Sequence, residues 1–207
     1  MVEDALEFGL RCSSDIIDED EMLVSAARED TEAVARLYDK YYSEIIGYIY
    51  HCTFNSTATE DLTSNVFLAA LRHIGRYKWR RIPFSAWLYR IATNEVQMYW
   101  RRQKRDKAIS LQTDNSSHPE QNRELESDNP SAGDRIAAEE EYSLLHRALL
   151  ELRIKYRTVI ILRYFEDKAI AEICEITGRK EGTVKSQLHR GLARLQDILV
   201  RWGVLPE

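Results

Sequence analysis

Residues 170–190 read Ile-Ala-Glu-Ile-Cys-Glu-Ile-Thr-Gly-Arg-Lys-Glu-Gly-Thr-Val-Lys-Ser-Gln-Leu-His-Arg. A helix-turn-helix unit needs a small residue in its first helix, glycine at the turn and an apolar residue in its second helix. The helices cross closely and the turn requires positive φ. Cys174, Gly178 and Val184 fill these places at offsets of four and six. Ile170, Ile173, Ile176 and Leu188 supply the surrounding apolar contacts, and Cys174 reads as a small core residue rather than a redox group. The second helix then presents Lys180, Thr183, Lys185, Ser186, Gln187, His189 and Arg190 outward or at its leading end. Such side chains bond base edges and phosphates in a major groove. A plain helical hairpin would need only ordinary polar faces; spacing, turn glycine and a basic outer face together point to DNA.

The surrounding composition is that of a helical protein. Of 207 residues 30% are charged, and only 8 are glycine and 4 proline, while Ala, Leu, Glu, Arg and Ile are plentiful, which favours helix over sheet. The expected fold class is all-α. No apolar run approaches the ~18 residues needed to span a bilayer, so no membrane insertion is expected, and the acidic N-terminus lacks the basic-then-apolar order of a secretory signal. Cys12, Cys52 and Cys174 are scattered and suit neither a disulfide framework nor a zinc site; a cytoplasmic location is the simplest expectation. The five histidines lack metal spacing, no glycine loop for phosphate is present, and no nucleophile–base pair stands out. No catalytic residues, metal or cofactor are therefore expected, and an enzyme reading finds no support.

A net charge of −5 is unexpected for a nucleic-acid binder until it is divided along the chain. Residues 1–32 carry −9 and residues 33–71 carry −2. Residues 72–107 reverse this, with eleven bases against two acids; residues 108–143 return to −7, and residues 144–207 hold +4. Two basic blocks between acidic stretches suit a polyanion binder with two feet. Residues 106–135, rich in Ser, Asn, Asp, Glu and Pro, bury too little to offset the entropy of ordering and read as a linker. The expected organisation is an acidic extension at 1–18, a domain at 19–105, the linker at 106–135 and a second domain at 136–202.

About four helices are expected in the first domain. Glu21–Ala27 places Met22, Leu23 and Ala26 on one side. Thr31 is placed to cap a helix in which Val34, Leu37, Tyr38, Tyr41, Ile45, Ile46 and Ile49 recur at helical spacing. Thr57 or Thr59 is placed to cap a third, continued by Leu62, Val66, Leu68 or Ala69, and His73. A basic loop over Gly75–Pro83 precedes a fourth helix over about Ser85–Lys104. In the second domain a helix runs through Leu144, Leu145 and Leu149, another over Tyr156–Phe165, then the two short helices and a tail helix, Gln187–Trp202, that continues from them.

The fourth helix carries two stripes. Leu88, Ala92, Val96 and Tyr99 form a face to be buried, with Trp87 favoured for the core. Arg90, Asn94, Gln97 and Arg101 form a polar face alternating cations with amides. Just upstream, Lys78, Trp79, Arg80, Arg81 and Phe84 crowd bases and aromatics into one loop, a mixture suited to unstacked single-stranded bases and to phosphates.

Taken in order, Ala33-Val-Ala-Arg-Leu-Tyr38, Glu60-Asp-Leu62, Val66-Phe-Leu68, Phe84-Ser-Ala-Trp-Leu-Tyr-Arg-Ile-Ala92 and Asn94 resemble the small bacterial RNA polymerase sigma factors. So do Val159-Ile-Ile-Leu-Arg-Tyr-Phe165, Ala171-Glu-Ile173, Glu181-Gly-Thr-Val-Lys-Ser186 and Leu188-His-Arg190. The group resembled is the extracytoplasmic-function group of the sigma-seventy family, over about 20–105 and 135–199. The resemblance implies a non-catalytic subunit that binds core RNA polymerase and brings it to promoter DNA, with an anti-sigma factor as a further partner some members have. It implies that Asp61, Leu62, Ser64, Asn65 and Phe67 meet the clamp coiled coil of the largest polymerase subunit. By the same resemblance, Lys78–Ser85 with Arg90–Arg101 would read and melt the minus-ten element, Lys180–Arg190 would read the minus-thirty-five element, and the acidic linker would thread towards the RNA exit path.

Two departures stand out. Many members carry Gln-Glu where this chain has Ser64-Asn65, and many place serine before Glu-Gly-Thr-Val where Lys180 stands. A missing cap hydroxyl costs on the order of 1 kcal/mol. Two alternatives make contrary demands on the sequence: a response-regulator type of DNA-binding protein would need a strand-rich domain upstream, and a sigma mimic that sequesters an anti-sigma partner would be expected to lose the polar face at Arg90–Arg101.

Overall fold

The computed structural model describes residues 19–77, 83–110 and 132–206. The expected acidic extension, Lys78, Trp79, Arg80 and Arg81, and most of the expected linker lie outside these residues. Helix α1 covers 19–26. It is followed by α2 (Thr31–Thr53), α3 (Ser56–His73), a single 3₁₀ turn (Ile74–Arg76), α4 (Phe84–Ser110), α5 (Ala132–Glu151), α6 (Ile154–Tyr164), α7 (Ile170–Thr177) and α8 (Glu181–Arg201). Among the described residues there is no strand, so the all-α expectation holds.

The first four helices bury Leu37, Tyr41, Ile45 and Ile49 of α2 against Leu62, Val66 and Ala70 of α3 and Leu88, Ala92 and Val96 of α4. These residues recur at three- and four-residue intervals, which is why one stripe of each helix is removed from water. The polar groups caught in this core are matched: the Tyr48 hydroxyl lies 2.8 Å from Thr93 Oγ1, and the buried Asp20 carboxylate accepts from Tyr41 and from Lys40. The last four helices bury Leu149, Val159, Ile161, Leu162, Ile173, Ile176, Val184 and Ile198, in the same hydrophobic cluster as the first four.

Several local expectations are corrected. Asp30, not Thr31, caps α2, accepting from the Glu32 backbone N–H at 2.8 Å; Asn55, upstream of both threonines, caps α3 through Ala58 N–H. Either side chain stabilises its helix start by about 0.5–2 kcal/mol. In α1 the buried side carries Leu23 and Val24, with Ala27 buried in the turn after it, while Met22 is 75% exposed and Ala26 is exposed. In α3 the buried stripe passes through Thr59, Leu62, Thr63, Val66, Phe67 and Ala70, leaving Leu68 and His73 exposed. Two threonines pass as apolar there because their hydroxyls bond the carbonyls four residues back. The tail is not a separate helix: α8 runs unbroken from Glu181 to Arg201.

Packing joins the two sets of helices. Helix α7 lies against α4, and α2 lies against α5 and α6. The two sets of helices expected as separate domains therefore meet, in this structure, along a seam crossed by one continuous hydrophobic cluster.

Candidate nucleic-acid interface

Helix α7 ends at Gly178 in the left-handed conformation, φ 66°, with the Gly178 N–H bonded to the Cys174 carbonyl. Arg179 N–H bonds the same carbonyl, so the turn satisfies groups that a helix end leaves open. A β-carbon at 178 would meet nothing closer than Arg90 Nη2 at 3.6 Å; backbone conformation, not crowding, calls for glycine. Val184, fully buried, and Leu188 seat α8 against the rest of the unit. Gly191 is a different case. A β-carbon there would come within 2.9 Å of Ile160 Cδ1 and 3.3 Å of Tyr156 Cβ, so its smallness lets α8 lie close on α6.

The seven residues picked for the minus-thirty-five helix share the leading end and outer side of α8. Lys180, Thr183, Lys185, Ser186, His189 and Arg190 are exposed, and Gln187 is half-buried. Lys180 occupies the N-cap without a side-chain hydrogen bond, as its chemistry requires. Lys185 is paired with Glu181 at 2.6 Å, Ser186 donates to the Thr183 carbonyl, and Gln187 accepts from Arg179 at 2.9 Å.

On α4, Arg90, Asn94 and Arg101 are exposed and Gln97 is half-buried. The Arg101 Nε–H donates to the Gln97 carbonyl. The other stripe is buried as expected, except that Tyr99 is only partly covered. Phe84 needs correcting: it is 2% exposed, packed among Tyr41, Tyr77 and Trp87 with ring centroids 5.3–5.7 Å apart. It anchors the start of α4 and offers no face to a base. On α3, Leu62 and Phe67 are likewise buried, the Phe67 ring tilted against that of Tyr38 with centroids 4.6 Å apart. They hold the helix, while Asp61, Ser64 and Asn65 are exposed beside them.

A family model described as Sigma-70 region 2 matches residues 37–106, and one described as Sigma-70, region 4 matches residues 142–195. The ECF RNA polymerase sigma factor SigW of Bacillus subtilis is 31% identical over 81% of this chain and 89% of its own length. The chain belongs to the sigma-70 family, in its ECF group. The ECF sigma factor SigL of Mycobacterium tuberculosis is 30% identical over 86% of this sigma factor and 96% of its own length. Two solved structures share the fold. One is that of CnrH in complex with the cytosolic domain of CnrY (TM-score 0.62, 19% identity, covering 88% of this chain and 97% of that one). The other is the sigma factor RpoE in complex with the anti-sigma factor NepR from Bartonella quintana (TM-score 0.59, 21% identity, 80% and 95% covered). This protein is thus a sigma factor that serves promoter-directed transcription initiation. Its region 2 match spans the α3 and α4 candidates, and its region 4 match spans the helix-turn-helix.

Residues that sequence reading passed over lie mainly on the seam of this sigma factor. Tyr89 of α4 donates to Glu166 at 2.6 Å, and burial beside that acid raises both groups above their ordinary ranges. Arg157 of α6 donates to the Cys52 carbonyl of α2 at 2.9 Å. His51 of α2 and His146 of α5 stack with centroids 5.3 Å apart. Nothing in the spacing of these residues announces a partner 77 to 105 positions away. Among the described residues, no group of three or more His, Cys, Asp or Glu is arranged to hold a metal, and no helix is long and apolar enough to cross a membrane.

Proposed function

We propose that the outer side of α8 reads a minus-thirty-five element in duplex form, and that α4 with the loop before it reads and holds open a minus-ten element. Lys180, Thr183, Lys185, Ser186, Gln187, His189 and Arg190 carry the first role; Arg90, Asn94, Gln97 and Arg101, with Lys78, Trp79, Arg80 and Arg81, carry the second. Core polymerase is met by the exposed Asp61, Ser64 and Asn65 of α3. The carrying observation is that cations and amides line the solvent side of two helices whose opposite sides are locked into cores. A recognition helix fixed in this way spends little entropy on binding.

The division of labour follows from chemistry. Arg190 and Lys185 end in donors suited to phosphates and to guanine acceptors, and Gln187 carries an amide that can face adenine. Asn94 and Gln97 offer amides to bases out of the stack, where Watson–Crick edges are free. The subunit has no catalysis of its own and works on core polymerase, in the cytoplasm; an anti-sigma factor, of the kind bound by RpoE, is a fitting regulator. The domains assigned to these roles are 19–105 and 136–202.

In vitro transcription tests the assignment. Replacing Lys185 and Arg190 by Ala should abolish dependence on the upstream element while core binding persists. Loss of both together would mean that this face is structural.

A further inference from the structure

Two of the side chains on the outer side of α8 find their partners within that helix: Lys185 pairs with Glu181, and Ser186 donates to the Thr183 carbonyl. Gln187 is engaged from outside it. Its Oε1 accepts from Arg179 Nη1 at 2.9 Å. Arg179 belongs to the turn between α7 and α8, directly after the left-handed Gly178, and its backbone N–H is tied to the Cys174 carbonyl at 3.2 Å. Both side chains are half-buried, so the bond forms partly out of water, between a turn and a helix held in fixed relation. Gln187 itself stands one turn after Thr183 and one turn before Arg190, at the edge where the exposed side of α8 meets the buried Val184 and Leu188.

That bond decides which way the amide faces. A guanidinium donates and never accepts, so only the carbonyl oxygen of Gln187 can lie against it; a flipped amide would set N–H groups against N–H groups. The Nε2 donors are thereby turned away from Arg179 and left to a ligand. Beside them stand the other N–H groups of Arg179, which make no further hydrogen bond or ion pair among the described residues. The edge offered to a groove is made of donors. A glutamine with both amide atoms free matches adenine, donating to N7 and accepting from the N6 amino group. Guanine presents two acceptors at the same place, N7 and O6, and no donor. A donor-only edge is satisfied by guanine, whereas the N6 amino group of adenine would face like groups.

We propose that Arg179 is a positioning residue for base readout: it holds Gln187 in the donor-only orientation, and the pair selects guanine over adenine at one position of the duplex that α8 reads. The inference rests on the assignment of α8 to duplex reading made above. It brings in a residue that lies outside α8, and it changes the base expected of a glutamine taken alone.

The test uses holoenzyme, the full chain on core polymerase, with promoter duplexes randomised through the upstream element and the bound fraction sequenced. Gln187→Ala marks the position by flattening its base preference. There the parent should favour guanine over adenine on the order of tenfold. Arg179→Met, which keeps the aliphatic length, should move that preference towards adenine at this position alone, and Arg179→Lys, which still donates, should hold it on guanine. A merely structural Arg179 would instead lower binding to every sequence alike. A second measurement needs no variant. With adenine at the marked position, its replacement by purine, which lacks the N6 amino group, should tighten binding by the parent; a bidentate glutamine–adenine contact would be weakened by the same change. Adenine preferred by the parent, weaker binding to purine, uniform loss in Arg179→Met, or no position flattened by Gln187→Ala would each overturn the proposal. If the Lys185→Ala, Arg190→Ala variant selects the same sequences as the parent, the assignment of α8 fails and this inference with it. If that variant changes selection while Arg179→Met does not, the assignment stands and the role of Arg179 falls.

Discussion

The histidine pair between α2 and α5 makes the fold sensitive to acid, and the sign and size follow from the contacts. His146 Nδ1 lies 2.9 Å from the Tyr142 carbonyl, so it must carry the proton there, which leaves His146 Nε2 to accept from His51 Nδ1–H at 3.0 Å. A proton added to His146 Nε2 would set two N–H groups head to head. One added to His51 would place a cation among Phe165, Tyr142 and Tyr50. The nearby charged groups on the packed elements are engaged elsewhere: Arg147 lies over Trp202, Arg157 on Cys52, and Glu166 on Tyr89. Burial and the neighbouring ring hold the His51 pKa down to about 4, and burial holds His146 below its ordinary value as well.

A base whose pKa falls on folding contributes stability that is complete above its unfolded value, near 6.5, and is lost as pH falls towards the folded one. At pH 5 the loss from His51 is ~2 kcal/mol before screening, and its partial exposure reduces that to about 1 kcal/mol. Urea unfolding at pH 7.5 and pH 5 should show this difference in the parent protein. The His51→Gln, His146→Gln double variant should lose it. Glu166, whose pKa is raised by burial, acts in the opposite sense and is common to both proteins, so their difference isolates the pair. Equal pH dependence in parent and double variant would refute the reasoning.

Further outcomes can be checked separately. Arg190→Ala should weaken upstream duplex binding more than Lys185→Ala, because Lys185 already faces Glu181; each lost phosphate contact should flatten the salt dependence by ~0.9 in log–log slope, read by fluorescence anisotropy with holoenzyme. Asn94→Ala should impair open-complex formation on duplex promoters more than on pre-melted ones, measured by permanganate footprinting; equal loss on both templates would restrict Asn94 to base readout. Gly178→Ala should cost roughly 1 kcal/mol in thermal melts, since only the left-handed backbone opposes it; an unchanged melting temperature would contradict that account.

What the chain announces and what it conceals divide along a physical line. Gly178, Val184 and Leu188 were legible because a close helix crossing demands those sizes at that spacing, and the two stripes of α4 were legible from periodicity. Phe84, Leu62 and Phe67 show the limit of pattern. Each sits in a functional-looking motif, but an aromatic or leucine beside an amphipathic stripe gains more from burial than from waiting for a ligand. Thr59 and Thr63 were missed in the α3 core because a hydroxyl bonded to its own helix behaves as an apolar group. Asp30 and Asn55 were passed over as caps because threonines stood one to four positions later. The seam was illegible altogether: Tyr89, Arg157 and the two histidines acquire their meaning only from partners on distant helices.

The central claim is that this protein confers promoter recognition on core polymerase. The most direct measurement is transcription from a library of genomic fragments by purified core, with and without the protein. Transcripts starting at a defined set of promoters should appear only when the protein is added, and should disappear with the Lys185→Ala, Arg190→Ala variant. An identical transcript set with and without the protein would contradict it.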